Sequence, residues 1–162
     1  MIERYRRYFE HDATSNRQAL ESIATIPADR AGEPQAKKAR SVLMHTVEAK
    51  ALWLTRIEPG VIPAPTEMFP ADPGADAIAS RMKQVDTAWH DWLGHASEAK
   101  CRNVIEYSAF DGGHWRTRIE DVLTQLTHHG AYHRGQIASL VKQSGGTPSI
   151  TDWIFVHREK MD

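Results

Sequence analysis

Cysteine is almost missing from this chain. Cys101 is the only one among 162 residues, so no internal disulfide can form and a cysteine-rich metal site is excluded. Net charge is almost missing too, with 20 Lys and Arg set against 21 Asp and Glu for a formal value of −1. Proteins that grip nucleic acid through its phosphates carry a basic surplus, and none is present here. Long apolar runs are absent: nothing approaches the roughly 20 residues that cross a bilayer. The opening Met1-Ile2-Glu3-Arg4-Tyr5-Arg6-Arg7 lacks an apolar signal segment. No internal repeat or low-complexity run appears. These absences predict no nucleic-acid partner, no membrane partner and a cytoplasmic location. What is there is 41% hydrophobic and 25% charged residues, the balance of a globular chain long enough for one domain with a real core, taken as residues 1–162.

The chemistry concentrates in Thr127-His128-His129-Gly130-Ala131-Tyr132-His133-Arg134-Gly135-Gln136. His129 and His133 are four residues apart, one turn of an α-helix and about 6 Å along its axis. Ile119, Val122, Leu126, His129, His133, Ile137 and Leu140 recur at steps of three and four. That is the apolar stripe of an amphipathic helix, and both imidazoles lie in it. An unpaired buried polar group costs roughly 1–3 kcal/mol. Each ring must therefore either hydrogen-bond a carbonyl or carboxylate, or bind a metal through nitrogen at about 2.0–2.1 Å. The pair alone leaves both readings open. His128 lies about 100° round the helix from its neighbour and falls outside the pair.

Along the chain, Ile2, Tyr5, Phe9, Ala13, Asn16, Leu20 and Ile23 mark a first helix that stops near Pro27. Asn16, inside the stripe, suits an interhelical hydrogen bond or support of a metal ligand. A second helix is predicted from about Gln35 to Ile57, with Val42, His45, Ala49, Leu52 and either Arg56 or Trp53 facing inward. His45 is thus a third inward histidine, on a separate helix. Glu48, one turn on, reads either as a solvated glutamate or as a ligand, ligand support or proton acceptor. Glu58-Pro59-Gly60 ends this helix. The proline-rich stretch through Pro63, Pro65, Pro70 and Pro73-Gly74 is an irregular connection, long enough to suggest that it covers a site. Ile78, Met82, Val85, Trp89, Trp92 and Leu93 mark a third helix, Ala75 to Ala96, with His90 and His95 toward solvent. Two short strands, Asn103–Tyr107 and His114–Thr117, flank Asp111-Gly112-Gly113 as a hairpin. The histidine-bearing helix then runs from about Thr117 to Gln143, closed by Ser144-Gly145-Gly146. The tail from Ser149 to Val156 is apolar enough to pack back on the bundle.

The elements add up to an all-α fold, a four-helix bundle with a short β-hairpin before the last helix and a metal-capable core. His45, His129 and His133 would supply three nitrogens and leave one position for water or substrate, as catalytic sites do. Imidazole suits Zn, Ni, Fe or Cu, and the ligand set does not choose among them.

Here the sequence resembles the DinB/YfiT-like helical-bundle metalloproteins. The matching residues are His45, eight before Trp53 in Met44-His45-Thr46-Val47-Glu48-Ala49-Lys50-Ala51-Leu52-Trp53-Leu54, and the block His129-Gly130-Ala131-Tyr132-His133-Arg134-Gly135-Gln136-Ile137. Asn16, Thr151-Asp152-Trp153 and Arg158-Glu159 also fit the pattern. The resemblance covers nearly the whole chain and implies an up-down-down-up bundle, a divalent metal (Zn, Ni or Fe) on His45, His129 and His133, and a homodimer. It also implies chemistry, because some members are S-transferases using bacillithiol or mycothiol, one branch being a mycothiol-dependent maleylpyruvate isomerase. The metal would then favour the thiolate of a low-molecular-weight thiol. The chain departs from the family at Thr14, where an aromatic is usual, and at Lys50, where an acidic residue is frequent.

Three functions follow for comparison. The first is a metal-dependent enzyme acting on a small molecule, a thiol S-transferase or a hydrolase, with Glu48 or Tyr132 moving protons and Arg134 pairing with a substrate carboxylate, Glu48 or another helix. The second is a non-enzymatic metal-binding or stress-response bundle stabilised by its ion. The third, a nucleic-acid role, is opposed by the charge balance. Protonated imidazole cannot ligate, so metal affinity should fall below about pH 6.5.

Overall fold

The computed structural model describes residues 1–161. Its elements in chain order are α1 (Ile2–Ala24), α2 (Pro34–Ile57), α3 (Ala75–His95), α4 (Glu98–Arg102), β1 (Val104–Ser108), β2 (His114–Arg118), α5 (Ile119–Gln143) and α6 (Trp153–His157). The architecture is mostly helical, a bundle of four long helices with the expected hairpin before the last of them. β1 and β2 pair antiparallel with Tyr107 opposite Trp115. Gly112, at φ 84°, supplies the left-handed residue that the turn between them requires. The sequence pattern did not reveal α4, a single turn capped by the Ser97 side chain.

Cross-helix contacts fix the directions. Tyr5 meets Thr124, Asp12 meets Arg134 and Ser22 meets Thr147, so α1 and α5 run parallel. Phe9 packs on Trp89 and Arg6 bonds the Leu93 carbonyl, so α3 runs opposite to α1. Glu48 meets Arg81 and Lys50 meets Asp86, so α2 and α3 are parallel. The order is up-down-down-up. Two successive parallel helices need a connection that travels back a full helix length. The stretch 58–74 does this along α2: Met68 reaches His45, and Asp72 reaches Arg40 nearer the start of that helix.

Position in this arrangement decides burial. α2 packs chiefly against α5 and α3 and is buried at every residue from Ser41 to Ala51. The expected stripe on this helix is therefore too narrow. Leu43, Ala51 and Leu54 are completely buried, whereas Leu52, Trp53 and Arg56 are half-buried. On α5, Ile119, Val122, Leu126 and Ile137 are buried as their spacing predicts. The tail departs from expectation. α6 has no buried residue, and Ile150, Ile154, Phe155 and Val156 are exposed. Only Trp153 seats itself, edge-on to Tyr8 with ring centres 5.2 Å apart.

Candidate metal centre

The three histidines predicted to converge do so, across a sequence separation of 84 residues. His45 Nε2 lies 3.2 Å from His129 Nε2, which lies 3.1 Å from His133 Nε2. One ligating atom from each ring can be chosen so that all three lie within 4.8 Å of one another, a group able to hold a metal ion. Donors about 2.0–2.1 Å from a tetrahedral ion sit about 3.3 Å apart, so the observed spacing is close to a ligand spacing.

Two rings are oriented from behind. His45 Nδ1 donates to the Met68 carbonyl oxygen at 3.0 Å, and His133 Nδ1 donates to Gln136 Oε1 at 2.7 Å. Each bond places the ring proton on Nδ1 and leaves Nε2 a bare lone pair aimed at the common point. His129 Nε2, between them, has one proton at most and cannot satisfy both. Converging lone pairs favour a cation, so the donor set fits a divalent metal. Phe69 stacks flat on His45, centroids 3.8 Å apart and planes within 11°. The long connection thus covers the centre through both Met68 and Phe69.

Electrostatics push the same way. Burial, with the His133 and His45 charges adding to it, lowers the His129 pKa from 6.5 to about 4. Burial also lowers that of His45, opposed by its bond to Met68 and helped by His133 and Lys38. The shift favours the neutral, ligating form of both rings, and His129 keeps that form down to about pH 4. Proton competition at these two rings therefore starts lower than an ordinary histidine would predict.

The other sequence-predicted residues are placed as follows. Tyr132 is exposed, its ring edge-on to His133 at 5.1 Å between centroids. Glu48 is buried, and Arg81 grips both of its oxygens at 3.0 and 2.8 Å. His128 is exposed and stays outside the cluster. Arg134, next to a cluster histidine, is buried and turns away to α1, where Nη1 donates to Asp12 Oδ1 and to Asn16 Oδ1, the latter at 3.0 Å.

That last contact opens a charge network the sequence reading missed. Lys50 Nζ donates to Asp12 Oδ2 at 3.0 Å and to Asp86 Oδ1 at 2.7 Å, and Asn16 Nδ2 donates to Asp12 Oδ2 at 3.1 Å. Each long helix contributes one charged residue: Asp12, Lys50, Asp86 and Arg134. Burial alone would raise the Asp12 pKa, but Lys50 and Arg134 outweigh it and hold the carboxyl below its usual range. Lys50 is likewise held above its usual value by Asp12 and Asp86 against burial. Lysine where an acidic residue is frequent is thereby accounted for: two aspartates surround it. The available signal was Asp12 and Asn16 at i, i+4 on one face, a polar pair on the border of an apolar stripe. Gly130 permits the approach of α5 to α1, because a Cβ there would collide with Asp12 Oδ1.

The fold and the histidine triangle together define the class, a helical bundle carrying a three-histidine group able to hold a metal. The chain matches the DinB family profile over residues 1–161 and belongs to the DinB family. No curated protein and no solved structure matches it. No helix among the described residues is long and apolar enough to cross a membrane.

Proposed function

We propose that this chain is a single-domain, metal-dependent enzyme that binds a divalent ion (Zn, Ni or Fe) through His45, His129 and His133. The preferred activity is S-transfer from a low-molecular-weight thiol to a small electrophile, with hydrolysis as the second activity such a site can support. The observation carrying this reading is the convergence of three Nε2 atoms, two of them stripped of their proton by Met68 and Gln136. His129 and His133 are only half-buried, which supports an approach path to a fourth coordination position. A bound ion would supply acidity, lowering the pKa of a coordinated thiol or water. The chain's own residues do the rest. Phe69 and the Met68 carbonyl hold the His45 ring in place, and Gln136 holds His133. Tyr132, exposed beside His133, is the side chain with access to move a proton. Glu48, with both oxygens engaged by Arg81, acts by fixing α3 to α2. A homodimer in the cytoplasm belongs to the same reading, supported by family membership alone.

Elemental analysis of tag-free protein should find close to one ion per chain, and His133→Ala should lose it with helicity retained. A Co(II)-loaded sample should change its visible spectrum when a small thiol is added. Full metal occupancy in the alanine variant sinks the ligand assignment. A cobalt spectrum indifferent to thiols and small anions favours the non-enzymatic reading, in which the ion only joins α2 to α5.

A further inference from the structure

A cleft lies between α1 and α5, walled on its third side by residues 149–153, with a volume of about 1500 Å³. None of the three clustered histidines lines it; Arg134 does. Arg134 is 6% exposed and, among the described residues, uses only Nη1 for hydrogen bonds, to Asp12 and Asn16. Nη2 makes none, and Nε is buried with no partner at all. A buried donor without a partner costs about 1–3 kcal/mol. The Nε–Nη2 edge is the side of a guanidinium that takes a carboxylate in two parallel hydrogen bonds. Among the described residues, the one carboxylate partner of Arg134 is Asp12, which it shares with Lys50.

The walls suggest the rest of the ligand. Tyr5, Tyr8 and Trp153 present aromatic surface to the cleft. Arg7 also lines it and lies over the Trp153 ring at 5.5 Å. We propose that this cleft is a binding site for a small organic carboxylate with a flat apolar body, the carboxylate on the free edge of Arg134 and the body against Tyr8 and Trp153. The site is separate from the three-histidine centre and does not depend on the activity proposed there. The two are adjacent in the chain, because Arg134 follows His133 directly.

Benzoate is the probe, benzamide its uncharged match, and acetate and inorganic phosphate the tests of body and charge. Titration of metal-loaded protein, followed at the Trp153 indole N–H by NMR, should saturate with benzoate. Benzamide and acetate should each bind about tenfold more weakly or worse. Arg134→Lys keeps the charge but loses the fork and should weaken benzoate by at least about tenfold. That variant disturbs a buried network, so Gly135→Phe provides the independent test. Gly135 lines the cleft and a Cβ there meets nothing within 4 Å, so the ring should fill the cleft while helicity and metal content stay unchanged. Benzoate binding that survives Gly135→Phe would put the anion on the metal and overturn the proposal. Equal binding of benzoate and benzamide, tighter binding of phosphate, or no saturation would each overturn it as well.

Discussion

Replacing glycine by alanine inside a helix ordinarily stabilises it by about 1 kcal/mol. Gly130→Ala should do the reverse. Gly130 is buried in the middle of α5, and a Cβ there would lie 3.0 Å from Arg134 Nη1 and closer still to Asp12 Oδ1. A flexible surface side chain would step aside at little cost. Asp12 cannot, because its short carboxylate is buried and holds Lys50, Asn16 and Arg134 together. Removing one partner of a buried ion pair costs 3–5 kcal/mol; pushing the pair apart without removing it costs a fraction of that, about 2–4 kcal/mol. Less the helical gain of about 1 kcal/mol, the net loss is about 1–3 kcal/mol. For a chain of this size that lowers Tm by roughly 2–12 °C. The measurement is urea and thermal unfolding of metal-free protein, so that ion binding does not mask the change. Gly135→Ala on the same helix, with open space around it, is the control and should raise stability by up to about 1 kcal/mol. If Gly130→Ala proves neutral or stabilising while the control behaves, the close approach of α5 to α1 is not held by this network.

Gln136→Ala removes the acceptor that fixes His133 Nδ1 and should weaken metal affinity about 10–100-fold, read by competition with a chelating dye; unchanged affinity would mean the ring needs no such support. Lys50→Met leaves the buried Asp12 and the half-buried Asp86 without their shared cation and should cost about 3–5 kcal/mol in denaturant unfolding, whereas a loss below about 1 kcal/mol would show the aspartates taking up protons instead. Stability of the metal-free protein should fall as pH drops from 6.5 toward 4, because His129 titrates near 4 when folded and near 6.5 when unfolded, so the unfolded chain binds more protons in that window. His129→Gln should flatten that slope, and an unaltered slope would assign it to other groups. Below that window the depressed Asp12 pKa acts in the same direction, its contribution being present above the unfolded carboxylate range and lost as pH falls further.

The legible parts of this protein were those written in local spacing. The steps of three and four through α1, α3 and α5 located these helices within a residue or two, because one buried face per helix is all that such a pattern needs. α2 misled on Leu52 because it lies among partners and is buried on nearly every side from Ser41 to Ala51, where a one-face pattern does not apply. The tail misled for the opposite reason. Apolar composition says that burial is favourable but not that a surface is available, and only Trp153 found one.

By itself, the sequence determined where the four long helices lie, that His129 and His133 share a face one turn apart, and that a proline-rich stretch separates α2 from α3. All of these depend on residues a few positions apart, so the chain's own geometry enforces them. The sequence also proposed His45 as the third corner, and the structure brings it there; only the tertiary structure decided that Met68 and Phe69 hold that ring in place and that Asp12, Lys50, Asp86 and Arg134 neutralise one another in the core. The contacts that matter join residues 84 positions apart at the centre and 122 apart in the network. At such separations no periodicity carries information, and what selects the partners is the cost of leaving charge or a lone pair buried alone.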